Sequence, residues 1–164
     1  MARYSLTFAG ITPVAVADTT NYTDAGYCTF LQGGSSTMRL NISEVSISGE
    51  APSASTVNRM VFARDSTVAA TGISGNRNAL IDGSSVAPGT IAVFGTTSTT
   101  KPQRSATLYL LMPTLNTYGG IYRWQARQGE EINVVGNTAS LGEVSLSSLS
   151  GTGLVSGHVL YEVA

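Results

Sequence analysis

The hydrophobic and polar residues of this chain alternate with a period of two in short segments along its length. Near the C-terminal end Val155, Val159, Tyr161 and Val163 are in phase. This spacing puts one face of an extended strand on a core and the other toward water or a partner. We expect this last strand to be tied into a sheet, because chain ends otherwise fray. No window has the i, i+3, i+4, i+7 apolar spacing of an amphipathic helix, so the pattern predicts an all-β protein.

Turn-forming residues separate the apolar segments from one another. The predicted strands cover residues 4–8, 11–16, 27–31, 38–47, 59–64, 79–81, 90–94, 107–112, 121–126, 132–135, 143–149 and 155–163. So many short strands without an internal repeat predict a single antiparallel β-sandwich domain over residues 1–164, with the jelly roll as the favoured type. Residues 1–20 are a candidate N-terminal arm.

One strand changes the parity of its apolar residues halfway along. Leu40 and Ile42 are in phase, but the next apolar residues are Val45 and Ile47. The change predicts a β-bulge or bend near residues 43–44, of the kind by which strands in sandwiches turn corners between sheets.

Several segments carry the composition of turns and loops. Residues 50–55 and 95–102 are predicted loops, and residues 71–78 are a predicted exposed turn. The glycine pair in residues 116–120 favours a hairpin between the strands 107–112 and 121–126.

The composition is poor in charge and rich in small polar residues. Only 12% of residues are charged, the formal net charge is -1, and Ser and Thr account for 40 residues and Gly for 18. The surface must therefore consist mainly of uncharged polar groups. Ser, Thr and Gly are residue types that favour strands and turns over helices. All cationic residues but Lys101 are arginines. Arginine enrichment is typical of protein interfaces, although a biased genome composition explains it equally well.

The single cysteine and the first residues limit the cellular context. Cys28 cannot form an internal disulfide or a multi-cysteine zinc site, and we expect it to be a buried small hydrophobe beside Tyr27 and Phe30. The first residues lack the apolar run of a signal peptide, and no segment is long and apolar enough to be a transmembrane helix.

His158 is the only histidine, so any Ser-His-Asp triad or Cys-His dyad would need it as the catalytic base. On a strand it faces away from Val159 and Tyr161. Glu162 shares its face but lies about two pleats away, beyond reliable hydrogen-bonding distance. We expect a strand histidine at a surface or subunit contact rather than a catalytic base.

The acidic residues form no recognisable catalytic or metal-binding motif. Glu130 and Glu131 are adjacent and should point apart, which denies them the shared site of a glycosidase pair. The aspartates are scattered, without the spacing of a calcium loop, although a calcium held by loop oxygens stays an open alternative. They are Asp18, Asp24, Asp65 and Asp82.

Two further segments invite a functional interpretation. Residues 151–153 with Gly157 resemble a phosphate-binding glycine pattern, but a strand follows where a helix is required, so a hairpin turn is predicted. Arg123 and Trp124 suggest a sugar-stacking platform, a nucleic-acid contact or an interface anchor. Because adjacent strand residues face opposite sides, we place Trp124 in the core and Arg123 outside. The net charge near zero argues against nucleic acid.

The segment Arg123-Trp124-x-Ala126-x-x-Gly129-Glu130-Glu131 and the terminal His158-Val159-x-Tyr161-Glu162 resemble capsid decoration, or cement, proteins of tailed bacteriophages. The motifs that carry the resemblance lie in the last third of the chain. The composition of the whole chain, which is almost without lysine and rich in Ser, Thr and Gly, also agrees with this class of proteins. It implies a jelly-roll virion protein, without catalytic, cofactor or metal residues, that is made in the host cytoplasm. It also implies a homotrimer on the outer capsid surface that bridges neighbouring capsomers of the major capsid protein, without a nucleic-acid or membrane partner.

The composition agrees with such a role, because uncharged surfaces cost less to desolvate on docking than ionic ones. Residues 52–56 and 95–102 and the N-terminal segment are the expected docking elements, since binding is usually built on loops. Two alternatives remain: a carbohydrate-binding sandwich with exposed aromatic residues, and a module of a head or tail fibre. An enzyme is the least favoured class.

Overall fold

The computed structural model describes residues 3–20, 22, 27–33, 35–53, 57–67, 76–79, 91–94, 102–136 and 142–164. Within these ranges the chain forms twelve strands and no helix, which confirms the all-β prediction. The strands are β1 (Arg3–Ile11), β2 (Tyr27–Gln32), β3 (Arg39–Glu50), β4 (Val57–Thr67), β5 (Asn76–Ala79), β6 (Ile91–Phe94), β7 (Gln103–Leu111), β8 (Thr114–Asn116), β9 (Tyr118–Gln125), β10 (Ile132–Val135), β11 (Glu143–Ser150) and β12 (Val155–Val163). None of the described residues belongs to a helix that could span a membrane.

The strands form two six-stranded antiparallel sheets. Sheet A has the order β5-β1-β12-β3, with β9 and β10 both on the far side of β3. Sheet B has the order β6-β2-β11-β4, with β7 and β8 both on the far side of β4. The predicted antiparallel β-sandwich is therefore confirmed. The last strand, β12, is paired on both sides, as expected.

The pairing is nested along the chain. β1 pairs with β12 and β2 pairs with β11. Next, β3 pairs with β9 and β10, and β4 pairs with β7 and β8. The first four strands alternate between sheet A and sheet B. The chain thus follows the path of one long antiparallel hairpin whose two arms cross together from sheet to sheet.

Both sheets contribute to one hydrophobic core. The buried core residues are Tyr4, Leu6, Phe8, Leu31, Leu40, Ile42, Val45, Ile47, Met60, Phe62, Leu115, Val134, Val144, Leu146, Val155, Val159 and Tyr161. They alternate along their strands with residues of the outer faces, by which we mean the face of each sheet turned away from the other sheet. Tyr4 and Tyr161 also stack, with ring centroids 5.7 Å apart.

β3 contains the predicted bulge. Leu160 of β12 is paired with Glu44 and Tyr161 with Ile42, so Ser43 is the extra residue on β3. The bulge returns Val45 to the core side that Ile42 already occupies. The predicted corner between sheets is wrong, because β3 pairs with strands of sheet A over its whole length.

The segment after β1 is not the strand predicted for residues 11–16. β1 ends at Ile11, and Pro13 supplies no backbone donor to continue the ladder. Residues 12–20 and 22, which we call the strap, cross to the outer face of sheet B. Val16 N, Thr19 N and Tyr22 N donate to the carbonyls of Ser148, Arg104 and Pro102 at 3.1–3.2 Å. The candidate arm 1–20 thus comprises β1 within sheet A and most of the strap.

Two predicted hairpins are wrong, since each segment joins strands of different sheets. Residues 116–120 lead from β8 in sheet B to β9 in sheet A, with Gly119 at a φ of 77°. Residues 151–153 lead from β11 in sheet B to β12 in sheet A. Local turn chemistry is the same for a hairpin and for a crossing between sheets.

The predicted turn over residues 71–78 is corrected in its last part, because Asn76–Ala79 forms β5 and pairs with β1. Residues 71–75 lie outside the described residues, and so do residues 95–101 of the predicted long loop.

Candidate functional site

Three charged or ionisable side chains meet on the outer face of sheet A. Arg123 lies on β9, Glu44 on β3 and His158 on β12. Their orientation follows from alternation, because the neighbouring Trp124, Val45 and Val159 pack in or against the core. The predictions that Trp124 faces the core and that Arg123 faces outward are therefore confirmed.

Glu44 is the centre of this group. Arg123 Nε donates to Glu44 Oε1 at 2.9 Å and Arg123 Nη2 to Oε2 at 2.8 Å, while His158 Nε2 lies 3.0 Å from Oε1. Glu44 is only 5% exposed. The hydrogen bonds from Arg123 are the main reason that the pKa of Glu44 is lowered. Glu44 is therefore an ionised carboxylate at neutral pH, with both oxygens occupied.

His158 thus has a carboxylate partner that the sequence did not reveal, 114 residues away on a neighbouring strand. Glu162, predicted to be out of reach, instead accepts a hydrogen bond from Arg3 Nε at 2.5 Å. Glu44 and Glu162 are thus each held by an arginine.

An open groove of about 690 Å³ runs beside these pairs. Most of its lining residues are polar in type, among them Arg3, Asn41, Glu44, Gln125, Glu131 and Glu162. Glu131 Oε1 accepts a hydrogen bond from Gly129 N at 3.1 Å. Of the adjacent acids Glu130 and Glu131, only Glu131 lines the groove. Amide and carboxylate groups in this arrangement can hydrogen-bond to a polar partner.

Three apolar side chains near the passage from β8 to β9 are exposed, namely Val57, Tyr118 and Ile121, and we refer to these three residues as the end patch. Their exposed fractions are 63%, 60% and 76%. Tyr118 is paired with Glu50 at the end of β3, and Val57 is paired with Asn116 directly before the chain crosses to β9. The end patch therefore lies where β8 passes into β9.

The end patch borders one of the predicted docking loops. Ala51 N donates to Thr117 O at 2.8 Å, which fixes the start of the 52–56 loop beside Tyr118. Residues 54–56 lie outside the described residues. The sequence did not predict the patch itself, although the inward positions of Tyr122 and Trp124 imply that Ile121 faces outward.

A second polar cluster is buried on the outer face of sheet B, under the strap. Arg104 of β7 is 0% exposed. It donates from Nε to Asp18 Oδ1 at 2.6 Å, from Nη1 to Ser147 Oγ at 2.6 Å and from Nη2 to Val16 O at 2.5 Å. Tyr109 donates to the other Asp18 oxygen at 2.5 Å. The guanidinium thus joins the strap to two strands of sheet B.

Tyr22 and Asp65 belong to the same cluster. The Tyr22 hydroxyl lies 3.1 Å from both Ser145 Oγ and Ser147 Oγ, and Ser145 donates to Asp65 Oδ1 at 2.6 Å. Burial is the main reason that the pKa of Tyr22 is raised. The sequence did not predict this cluster, because alternating polar residues on a strand look the same whether water or a strap covers them.

The other residues considered from sequence are dispersed. Asp18 and Asp65 reach the same cluster, Asp18 as a hydrogen-bond partner of Arg104 and Asp65 as its cross-strand neighbour. Asp24, Asp82 and the Cys28 side chain lie outside the described residues. Among the residues that the structure does describe, no group of three or more His, Cys, Asp or Glu is placed to hold a metal ion.

The fold defines the protein as a two-sheet antiparallel β-sandwich. No family, no curated protein and no solved structure matches the chain.

Proposed function

We propose that this protein is a structural component of a bacteriophage virion that binds the outer surface of the capsid and bridges neighbouring capsomers of the major capsid protein. The end patch is the observation that carries the proposal. Val57, Tyr118 and Ile121 are each more than half exposed, beside a loop anchored by Ala51. Exposed apolar side chains with an aromatic residue among them are typical of protein contact surfaces.

The strand order supports a jelly roll as the type of sandwich. A jelly roll is a double sheet of two Greek keys. The nested pairs β1 with β12, β2 with β11, β3 with β9 and β10, and β4 with β7 and β8 match that path, with β5 and β6 added at the outer edges. Jelly rolls occur in viral capsid proteins but also in lectins, so the fold supports the proposal without selecting it.

The charge arrangement on sheet A is compatible with docking. Glu44 is paired with Arg123 and Glu162 with Arg3. Each of these two acids therefore already has an arginine partner in the unbound protein. Docking over these two residues would not leave either carboxylate newly unpaired, which is the costly outcome at an interface.

Capsid binding is tested by co-sedimentation with heads purified from the phage that encodes the chain. Wild-type protein should sediment with the heads, and the double variant Tyr118→Asp/Ile121→Asp should bind at least about tenfold more weakly, because charges replace the apolar anchors. Val135→Asp is the matched control, since Val135 is an exposed valine of β10 outside the end patch. Failure of the wild type to sediment, or an equal loss in the control, contradicts the proposal.

We also propose that the protein assembles as a homotrimer, in which repeated weak contacts with the capsid add through avidity. Light scattering after gel filtration should then give the mass of three 17.0 kDa chains. The mass of one chain contradicts the trimer and leaves capsid binding to be decided by sedimentation.

A carbohydrate-binding sandwich is the second candidate, and the polar groove on sheet A favours it. Asn41, Gln125 and Glu131 line the groove and can hydrogen-bond to sugar hydroxyls. Trp124 does not serve as a stacking platform, because it packs against the core. Binding on a glycan array that is lost in Gln125→Ala would favour this candidate over capsid attachment.

A further inference from the structure

The two ends of the sandwich differ in chemical character. One end, which we call the apolar end, is where β3 and β11 finish and β4, β9 and β12 begin, and it carries the end patch. The other end, which we call the charged end, is where β1, β3 and β11 begin and β9 and β12 finish. Tyr118 and Gln125, at the two ends of β9, are about 20 Å apart along the strand.

The connections at the apolar end contain no charged residue. Residues 51–56 lead from β3 to β4 and residues 151–154 lead from β11 to β12, and both segments consist of uncharged residues. Glu50 and Arg59 are the charged residues that the described strands place at this end. Burial of the apolar end against a partner therefore desolvates little charge.

The charged end would be costly to bury. The connection from β9 to β10 contains Arg127, Glu130 and Glu131, and within the part of the chain that the structure describes none of the three forms an ion pair. Docking through this end would take unpaired charges out of water. The charge distribution therefore favours the apolar end as the end that meets a partner.

Met112 is an exposed apolar residue on the sheet B side of the same half of the molecule. It follows Leu111, which packs against the core, so its side chain faces outward. Met60 N donates to Pro113 O at 2.8 Å, which places Met112 beside the first half of β4.

Val14 of the strap is exposed on the sheet B side as well. On one side of it, the carbonyl of Pro13 accepts a hydrogen bond from Thr152 Oγ1 at 3.4 Å, directly after the end of β11. On its other side, Ala15 bridges to Ser148 near the end of β11. Exposed apolar side chains therefore lie on both sheets in the half of the sandwich that finishes in the apolar end.

We propose that the apolar end enters the gap between two neighbouring capsomers of the major capsid protein. Tyr118 and Ile121, which are exposed on sheet A, contact one capsomer. Met112 and Val14, on the sheet B side, contact the other, and the charged end stays in solvent. This arrangement rests on the capsid-binding function proposed above and adds which side of the protein meets which capsomer.

The arrangement uses two partner surfaces because the exposed apolar side chains lie on both sheets. A single flat surface over the sheet A side would leave Met112 and Val14 in water. The low charge of the apolar end also defines the chemistry of the gap. Its walls must be apolar or uncharged, because a charged wall would lose water without gaining a counter-charge.

Co-sedimentation with purified heads, titrated over protein concentration, tests the arrangement. The sheet B variant Val14→Asp/Met112→Asp should bind at least about tenfold more weakly, as should the sheet A variant Tyr118→Asp/Ile121→Asp. Val135→Asp is the matched control, because Val135 is paired with Arg39 at the charged end, and it should bind as the wild type does. The affinity of the wild type should change less than about threefold between about 0.05 M and 0.5 M NaCl.

Chemical labelling of the bound wild-type protein requires no variant. On saturated heads, oxidation of Met112 by hydrogen peroxide and nitration of Tyr118 should each slow at least about fivefold, because both side chains become covered. Carbodiimide labelling of Glu130 should keep the rate of the free protein, because the charged end stays in water.

Three results would overturn the arrangement and leave capsid binding in place. The first is that the sheet B variant binds heads as tightly as the wild type does. The second is that Glu130 is protected on the heads. The third is that the sheet B variant has a lower mass in light scattering but an unchanged affinity for heads, because a second copy of the chain would then cover Val14 and Met112. Failure of the wild type to sediment would contradict the capsid-binding function itself, and the arrangement with it.

Discussion

Arg104 and Asp18 join sheet B to the strap through a hydrogen bond of 2.6 Å between Arg104 Nε and Asp18 Oδ1. Arg104 is completely buried, whereas the Asp18 side chain is 31% exposed. A buried guanidinium is stable only while its donors are satisfied. The attachment of the strap therefore depends on a partner 86 residues away in the chain.

Loss of Asp18 should destabilise the protein more than an ordinary surface substitution. Asp18→Ala leaves the Arg104 charge buried with fewer acceptors, so we expect the free energy of unfolding to fall by about 2 kcal/mol, or by about 4 kcal/mol for Arg104→Ala. Urea unfolding measures both. The double variant Asp18→Ala/Arg104→Met should be more stable than the sum of the single losses predicts, because no unpaired charge remains. Strict additivity would contradict the coupling, and Glu130→Ala in an exposed turn is the control.

The ion pair on sheet A should control the titration of Glu44. Hydrogen bonds from Arg123 are the largest cause of the lowered pKa of Glu44, with burial acting in the opposite direction. Arg123→Met should therefore raise the pKa of Glu44, and carbon-13 NMR of the carboxyl group measures the change. Arg127→Met is the control, because Arg127 is nearby in the sequence but outside the pair, and it should leave the pKa of Glu44 unchanged. An unchanged pKa in Arg123→Met would contradict the assignment of Arg123 as the main partner.

The same pair should contribute to stability above, but not below, mildly acidic pH. Because the folded pKa of Glu44 is lowered from 4.5, its stabilisation is present above that value and is lost as the pH falls through the folded pKa. The stability of Glu44→Gln should consequently differ most from the wild type near neutral pH and least in strong acid. Thermal unfolding between about pH 3 and pH 7 tests the direction. A difference that grows toward acid pH would contradict it.

Gly157 should not tolerate any side chain. A Cβ at this position would lie 2.1 Å from the Ser46 carbonyl oxygen and 2.6 Å from Phe8 Cζ. We expect Gly157→Ala to lower the free energy of unfolding by about 2–3 kcal/mol, measured in urea. Phe8→Leu should not rescue it, since the closer contact is with backbone. Full rescue would show that the ring, and not the Ser46 carbonyl, sets the limit.

Deletion of Ser43 should prevent folding, whereas Ser43→Ala should be tolerated. The deletion removes the bulge and turns Val45 and Ile47 from the core to the outer face, because a shift of one residue inverts a strand. Circular dichroism and proteolysis distinguish the outcomes. A folded deletion variant would mean that the bulge can move elsewhere along β3.

The bulge at Ser43 was predictable because a parity change of apolar residues is a local signal. The core-facing side of β12 was predictable for the same reason, and Trp124 followed from its strand neighbours. The crossing between sheets at residues 116–120 was not predictable, because the same glycine pair can form a hairpin turn or a connection between two sheets. Only long-range pairing distinguishes them.

The polar cluster on sheet B could not be predicted from the sequence for a different reason. Ser145 and Ser147 alternate with core residues and have the pattern of a face turned to water. Their burial depends on the strap, whose contacts lie more than 100 residues away in the chain. The link between His158 and Glu44 is equally remote. Sequence periodicity assigns a residue to a face but does not tell what covers that face.

The nested strand order has a consequence for biosynthesis. β12 occupies the place between β1 and β3, so the facing edges of these two early strands stay unpaired until residues 155–163 have been made. The centre of sheet A therefore depends on pairing between strands far apart in the sequence, which is intrinsically slow. Nascent chains should therefore present unpaired strand edges during translation, which makes the yield of folded protein sensitive to temperature and to chaperones.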